Sequence, residues 1–165
     1  FWYILDIYKI ERFDKKISNL LLLFILKLIV VQIILGAFLS GLDGGLIYNS
    51  WPDMNGSFLP NDVGYNDLIN TQLLNNPSII QFLHRVTAYF LLFFIIILNF
   101  LIIKNNHGTK NIILFDLAIL IQIFLGIVTL LSGVEIKYAS LHQLGSIFVL
   151  TSYLVILYKN SKQKL

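Results

Sequence analysis

The chain has 165 residues, of which 57% are hydrophobic types and only 13% are charged, and its mean hydropathy is +0.79. A soluble domain of this length cannot bury so much apolar surface, so the composition predicts a membrane protein. The net charge is +3, but the basic residues lie in short segments between apolar runs, which argues against a nucleic-acid partner. The chain has no cysteine, which excludes disulfides, thiolate metal sites and a cysteine nucleophile.

The apolar segment FWYILDIY opens the chain. We interpret residues 1–19 as the end of a preceding span and an inner basic linker, and we expect the chain to be part of a longer protein. Four apolar runs follow at residues 20–42, 79–103, 112–131 and 139–158, each long enough for a bilayer that needs about 20 residues per helix. We therefore predict an all-α four-helix transmembrane bundle over residues 20–158, with a long outer loop at 43–78 and an inner basic tail at 159–165.

The basic residues predict the orientation of the bundle. If the four spans alternate in direction, these residues share one side: Lys9, Arg12, Lys15, Lys16, Lys104, Lys110, Lys159, Lys162 and Lys164. Basic residues in short loops favour the cytoplasmic or matrix side, and residues 41–78 contain neither Lys nor Arg. We expect both termini on that inner side, in a bacterial or a mitochondrial inner membrane.

The outer loop contains the turn-rich stretch GLDGGLIYNSWPDMNGSFLP. Asn76 followed by Pro77 predicts the start of span two, because Asn caps free backbone donors and Pro suits the first helical turn. Residues 65–74 are predicted to form a short helix on the outer surface. Tyr48 and Trp51 fit an interfacial aromatic belt as well as a ligand contact.

Two short motifs recur along the chain. QIILG at residues 32–36 returns as QIFLG at 122–126, and LHR at 83–85 returns as LHQ at 141–143. The offsets are 90 residues (122 minus 32) and 58 residues (142 minus 84), so the difference of 32 corresponds to an insertion in the first outer loop. Short apolar repeats also arise by chance. This one matters because it aligns His84 with His142.

His84 and His142 lie inside spans two and four, about 6 to 8 Å below the outer interface at about 1.5 Å per residue. The two spans run in the same direction, so the histidines can face each other. A single histidine near a helix end is more often a hydrogen-bonded structural residue, but a pair at matched depth favours a shared ligand. Haem iron takes two axial imidazoles, whereas zinc or copper usually requires further ligands. We therefore predict haem iron bound by this pair.

The other polar residues of the spans have simpler interpretations. Arg85 is expected either to bind a haem propionate or to extend to lipid headgroups. Gln32 and Gln122 are expected to form hydrogen bonds between helices, and Gly36 and Gly126 to permit close helix packing. Three further polar residues are expected to be structural rather than catalytic: Lys27, Asp116 and His107.

The segments LGAFLSGLDGGLIYNSWPDMNGSFLP, QFLHRVTAY and LHQLG resemble the C-terminal half of the haem A synthase family, over residues 30–150 or so. Family members look like two fused four-helix bundles. The resemblance implies that this half holds haem b through His84 and His142, while the N-terminal half of the same protein takes the substrate, haem O. The family oxidises the C8 methyl of haem O to a formyl group, giving haem A for cytochrome oxidase. The haem b would then relay electrons.

The resemblance leaves several matters outside this chain. It places the presumed catalytic carboxylate in the other half, so no catalytic residue is assigned in this chain. It also implies two candidate partners, haem O synthase and an electron donor. The chain departs from the usual family pattern at Leu83 and Asp53, and it lacks the cysteine pair of some members. A homo-oligomer in the lipid bilayer is compatible with the sequence.

Two hypotheses that assign the chain to other classes of protein compete with the hypothesis of an oxidoreductase fragment. One is a stand-alone bis-histidine membrane cytochrome b that only carries electrons. The other is a haem-free transporter or assembly module in which the histidines are structural. A second set of four spans with its own histidine pair would favour the enzyme over the carrier, and the absence of visible absorption would favour the haem-free module.

Overall fold

The computed structural model describes residues 1–14, 16–64, 67, 73–105 and 110–161. Five α-helices lie in these ranges: α1 (Trp2–Ile7), α2 (Asn19–Gly41), α3 (Pro77–Lys104), α4 (Lys110–Leu131) and α5 (Ile136–Asn160). Short 3-10 turns, Gly44–Leu46 and Leu73–Asn75, lie between α2 and α3. Most of the predicted helix over 65–74 falls outside the described residues. We call the end of the bundle that carries the long loop the outer end.

Helices α2 to α5 form the predicted membrane bundle. Their apolar stretches are 23, 28, 20 and 25 residues long, and a bilayer requires about 20. The predicted all-α four-helix fold is confirmed. The largest boundary difference is at α5, which begins at Ile136 rather than at residue 139. Lys137 there forms an exposed ion pair of 2.7 Å with Glu135, so its charge is compatible with a helix start at the outer surface.

The four long helices pair as two hairpins. Helix α2 packs along α3 (hairpin one) and α4 packs along α5 (hairpin two), and these are the most extensive contacts in the described chain. A smaller contact joins α2 to α5. Each hairpin holds one copy of each repeated motif, so the repeat in the sequence corresponds to a repeat in the fold.

The sealed apolar core lies in the inner half of the bundle. Its most deeply buried members are Leu22, Ile25, Ile29, Leu98, Ile102, Phe115, Tyr153 and Ile156. The hydroxyl of Tyr153 donates to the main-chain carbonyl of Leu22 at 2.7 Å, which satisfies its buried polar atom. Among the described side chains of α4 and α5, the outermost buried ones are Ile119 and Val149. Gln32, Gln122, His84 and His142 lie outward of this core.

The segment before α2 is bound to the end of α5. The Phe13 N–H donates to the Lys159 carbonyl at 2.8 Å, and the Asn160 side chain bonds both the N–H of Ile17 at 2.8 Å and its carbonyl at 3.0 Å. The guanidinium of Arg12 lies 3.7 Å from the centroid of the Tyr158 ring. These contacts close the inner end of the bundle by joining α5 to the chain that leads into α2.

The predicted start of α3 is confirmed. The Asn76 side chain accepts hydrogen bonds from the N–H groups of Ser78 at 3.0 Å and Ile79 at 3.2 Å, and Pro77 occupies the first turn. The cap satisfies two donors that a helix start otherwise leaves unpaired. It thereby sets where α3 begins relative to the outer loop.

We expect Asn76→Ala to lower the free energy of unfolding by about 1 kcal/mol, because the alanine cannot accept from those two donors. Thermal unfolding in mild detergent, followed by circular dichroism, measures the change. Asn75→Ala, at the exposed neighbour, is the matched control. Equal unfolding temperatures for the two variants would contradict the role of the cap.

Candidate functional site

The structure brings His84 and His142 together. His84 lies seven residues into α3 (84 minus 77) and His142 six residues into α5 (142 minus 136), which places both about 9 to 11 Å from the outer helix ends. Both sit slightly deeper than the sequence suggested, because both helices begin earlier, but the match in depth is kept. Their ring centroids are 6.5 Å apart and the ring planes make an angle of 75°.

The ring of His142 is oriented by the main chain of α4. Its Nδ1 lies 3.1 Å from the carbonyl oxygen of Gln122. A carbonyl only accepts hydrogen bonds, so Nδ1 carries the proton and donates it, and Nε2 keeps its lone pair. This is the arrangement in which a histidine is ready to bind a metal through the second nitrogen.

His84 is held instead by a side chain of α2. The side-chain Nε2 of Gln32 lies 3.1 Å from the ring Nε2 of His84 and donates to it. Among the described residues, His84 Nδ1 and Gln32 Oε1 are buried without a hydrogen-bond partner. Because Nε2 accepts from Gln32, the neutral His84 ring carries its proton on Nδ1, and this nitrogen gains a lone pair for a metal only when the amide turns over and the proton moves to Nε2. An unpaired polar atom inside an apolar bundle is costly, so both atoms suit a site that binds a further group.

Each histidine ring also rests against a glycine of its own hairpin. A Cβ added at Gly36 would lie 3.3 Å from Cε1 of His84, and one added at Gly126 would lie 2.9 Å from Cε1 of His142. From the sequence, these glycines are expected to permit helix packing and the two glutamines to form interhelical bonds. Their direct role at the histidines was missed, although the signal was present, since QIILG and QIFLG recur with the histidine motifs.

Arg85 points into the outer loop. Its guanidinium donates to the carbonyl of Asp53 at 2.6 Å and to the carbonyl of Tyr48 at 3.0 Å, and Gln81 donates to the same Tyr48 carbonyl at 2.9 Å. These bonds anchor the loop to the first turns of α3, next to His84. Arg85 was expected to bind a haem propionate or to extend to lipid headgroups, and neither expectation included these contacts with main-chain atoms of the loop.

A second anchor of the loop is the Asp62 carboxylate. It accepts from the Ser78 hydroxyl at 2.6 Å and from the Tyr48 hydroxyl. Tyr48 is only 5% exposed, so its interpretation as a belt residue was wrong: it is a buried anchor. Trp51, at 47% exposed, remains compatible with the belt.

The loop also reaches hairpin two. The Asn49 side chain donates to the carbonyl of Leu130 at 3.0 Å. A Cβ added at Gly45 would lie 2.9 Å from Cγ2 of Val134, in the turn between α4 and α5, so the absence of a side chain permits this approach. The loop thus covers the outer ends of both hairpins above the histidines.

The pH dependence of the Asp62 anchor follows from its contacts. Burial acts to raise the pKa of Asp62, but the hydrogen bonds from Ser78 and Tyr48 outweigh it and lower the pKa below the usual 3.8. Burial, followed by the bond to Asp62, raises the pKa of Tyr48. The pKa of this carboxyl group is lower in the folded loop than in the unfolded chain, so the ionised carboxylate stabilises the folded loop at pH values above the unfolded pKa. This stabilisation is lost as the pH falls through the folded pKa.

We therefore expect the outer loop to become sensitive to pepsin as the pH is lowered below about 4. Asp62→Asn removes the carboxylate, so the loop should be cleaved faster at all acidic pH values and show a flatter pH dependence. The control is Asp43→Asn, because Asp43 is exposed in the same loop. A cleavage profile for Asp62→Asn that matches the unsubstituted chain would contradict this assignment.

The remaining polar residues have structural contacts or lie outside the description. Asp116 accepts from the Asn99 side chain at 2.9 Å, which links α4 to α3. His107 lies outside the described residues. Within the described ranges, no group of three or more His, Cys, Asp or Glu side chains is placed to hold a metal ion. The histidine pair is therefore the candidate functional site.

The fold and the site together define a four-span membrane bundle that carries an intramembrane histidine pair beneath the outer loop. The sequence profile of the cytochrome oxidase assembly protein family COX15-CtaA matches residues 1–154. The chain belongs to this family, and it is an integral membrane protein.

Relatives in the family share one name. The chain is 77% identical over 161 residues to the heme A synthase of Pelagibacter ubique, covering 98% of this chain and 48% of the relative. It is 43% identical over 125 residues to the heme A synthase of Rickettsia felis, covering 74% of this chain and 37% of the relative. It is 40% identical over 126 residues to the heme A synthase of Bartonella quintana, covering 74% of this chain and 35% of the relative. The chain thus spans about half the length or less of these relatives. No solved structure matches it significantly.

Proposed function

We propose that the chain is the C-terminal, haem b-binding half of a haem A synthase, an oxidoreductase that converts the C8 methyl of haem O to a formyl group. The observation that carries the proposal is the histidine pair with centroids 6.5 Å apart. Metal–nitrogen bonds to imidazole are about 2 Å long, so two rings that bind one metal ion from opposite sides have centroids roughly 6 Å apart. The names of the relatives favour this enzyme over a stand-alone electron carrier.

The residues present fit a bis-histidine haem. His142 keeps the lone pair of Nε2 because its Nδ1–H donates to the Gln122 carbonyl. Nδ1 of His84 is buried without a partner among the described residues, and it would gain its lone pair when the Gln32 amide turns over and the proton moves to Nε2. The two glycines leave room for both rings at one level. His84 and His142 would hold the iron, and bound haem b would supply one-electron transfer.

Arg85 and the outer loop would enclose the site from the outer side. The guanidinium ties the loop to α3 through two carbonyls, and an arginine has five donors, so further N–H groups are available for a carboxylate such as a haem propionate. The loop would also exclude water from the outer end of the bundle. We propose that this end faces away from the cytoplasm, in the inner membrane of a bacterium, since the relatives named above are bacterial.

A reduced-minus-oxidised visible spectrum of the purified chain in mild detergent, with pigment extraction, tests the proposal. We expect a sharp low-spin signal and extracted haem b. A well-folded preparation that stays colourless after haem is added would overturn it. Supplying the N-terminal half of a relative together with haem O tests the enzyme: haem A in the extracted pigment supports a synthase, and its absence from a reconstituted, haem-loaded pair would favour the carrier.

A further inference from the structure

Gln32 and Gln122 occupy equivalent places in the two hairpins but make different contacts. Each lies nine residues from the outer end of its helix (41 minus 32 and 131 minus 122), at a depth of about 14 Å. The Gln32 side chain bonds the ring of His84. The Gln122 side chain bonds the main-chain carbonyl of His142 at 2.8 Å, and only the main chain of Gln122 bonds the ring.

The sequence also differs between the two sites. The third residue after His142 is Gly145, and the third after His84 is Thr87. A Cβ added at Gly145 would lie 2.2 Å from Oε1 of Gln122, far inside van der Waals contact. Gln122 Oε1 thus occupies the space that a side chain at Gly145 would take. Thr87 carries a Cβ at the equivalent position of α3, and there the Gln32 side chain contacts the histidine ring instead.

The difference determines what controls each ring. The proton of His142 stays on Nδ1 because a main-chain carbonyl accepts it, and no substitution of the Gln122 side chain removes that carbonyl. The ring of His84 faces an amide that can either donate through Nε2 or accept through Oε1. Oε1 of both glutamines is buried and unpaired among the described residues, but only the Gln32 amide contacts a ring nitrogen. In the observed orientation the amide donates to Nε2, so the proton lies on Nδ1. Metal binding through Nδ1 requires a half-turn of the amide: Oε1 then accepts from Nε2–H, and Nδ1 keeps its lone pair.

We propose that Gln32 is a positioning residue that sets the tautomer and the ligand strength of His84, while the main chain of Gln122 does this for His142, so that the two histidines are controlled separately. This inference rests on the proposed haem site. It predicts that side-chain substitutions at two equivalent positions of the repeat have unequal effects on a bound haem.

The test compares Gln32→Leu with its matched control Gln122→Leu, using the haem content and the midpoint potential of the purified 165-residue chain. We expect Gln32→Leu to weaken haem binding 10- to 100-fold, the usual cost of losing a partner of a ligating histidine. It should also raise the midpoint potential, because a less basic imidazole stabilises ferric iron less. A tenfold change in the ferric-to-ferrous preference corresponds to about 59 mV for one electron. Gln122→Leu should unfold at a lower temperature yet keep the original potential.

Gln32→Asn is the second variant in case Gln32→Leu folds poorly or releases its haem. It keeps an amide but shortens the side chain by one methylene group, so it should also raise the potential. The inference would be overturned by equal shifts of the midpoint potential in Gln32→Leu and Gln122→Leu, or by an unchanged potential in both Gln32→Asn and Gln32→Leu. In either case a coloured unsubstituted chain would still uphold the haem site. A colourless unsubstituted chain would instead overturn the proposed function, and this inference with it.

Discussion

Replacing either His84 or His142 by alanine is expected to remove the haem. Each substitution leaves one imidazole at a site where two rings lie 6.5 Å apart, and the alanine supplies no ligand in its place. Loss of a partner that only orients a ligating histidine costs 10- to 100-fold in metal affinity, so loss of the ligand itself should cost more than about 100-fold. The measurement is the haem-to-protein ratio after purification and after reconstitution with excess haem.

His107→Ala provides the control, because His107 is the third histidine of the chain and we expect it to be a solvated turn residue. This variant should keep the haem content and spectrum of the unsubstituted chain. A full haem complement in both His84→Ala and His142→Ala would disprove the ligand assignment. Circular dichroism on each variant separates loss of haem from loss of the fold.

The second large effect is expected at the glycine beside His142. A Cβ at Gly126 would lie 2.9 Å from Cε1 of the ring and 3.4 Å from Nδ1, so Gly126→Ala forces the ring or the helix to move. The Nδ1–H bond to the Gln122 carbonyl would be strained by the same movement. Small displacements of a supporting residue cost metal sites 10- to 100-fold in affinity, and we expect a loss of that order.

Three glycines give a graded series for this experiment. The added Cβ is 2.9 Å from the histidine ring at Gly126 and 3.3 Å at Gly36, whereas at Gly41 it meets nothing within 4 Å. Haem affinity should therefore fall most for Gly126→Ala, less for Gly36→Ala and not at all for Gly41→Ala. Titration of haem into each variant, followed by absorbance, gives the order. If Gly41→Ala were as damaging as Gly126→Ala, a general helix effect rather than contact with the ring would be responsible.

The helices were predictable because the signals that define them are local. Four long apolar runs and an Asn–Pro helix start can be recognised from neighbouring residues alone. The predicted start of α5 differs from the observed start because the apolar run stops short of Lys137, whose charge is paired with Glu135 at the surface. The histidine pair was predictable for a related reason, since a repeated motif at matched depth implies proximity without knowledge of packing.

The loop and the partners of the histidines could not be predicted in the same way. Arg85 binds main-chain carbonyls 32 and 37 residues away, and carbonyls are present at every residue, so no residue type marks these two. Tyr48 looks like an interfacial aromatic until its distant partner Asp62 is known. The space that Gln122 Oε1 occupies lies at Gly145 of the neighbouring helix, 23 residues along the chain (145 minus 122), so it cannot be recognised from the residues near Gln122.

The closure of the bundle at its inner end has a consequence for biogenesis. Asn160, at the end of α5, bonds the chain that leads into α2, and α5 also carries His142. Helices that enter the membrane in chain order would therefore complete both the inner closure and the ligand pair in a single late event, the arrival of α5. Until then hairpin one presents His84 alone. Under the proposed haem site, a nascent chain arrested before α5 should accordingly insert normally yet capture no haem, and cofactor loading would be the last step in the maturation of this bundle.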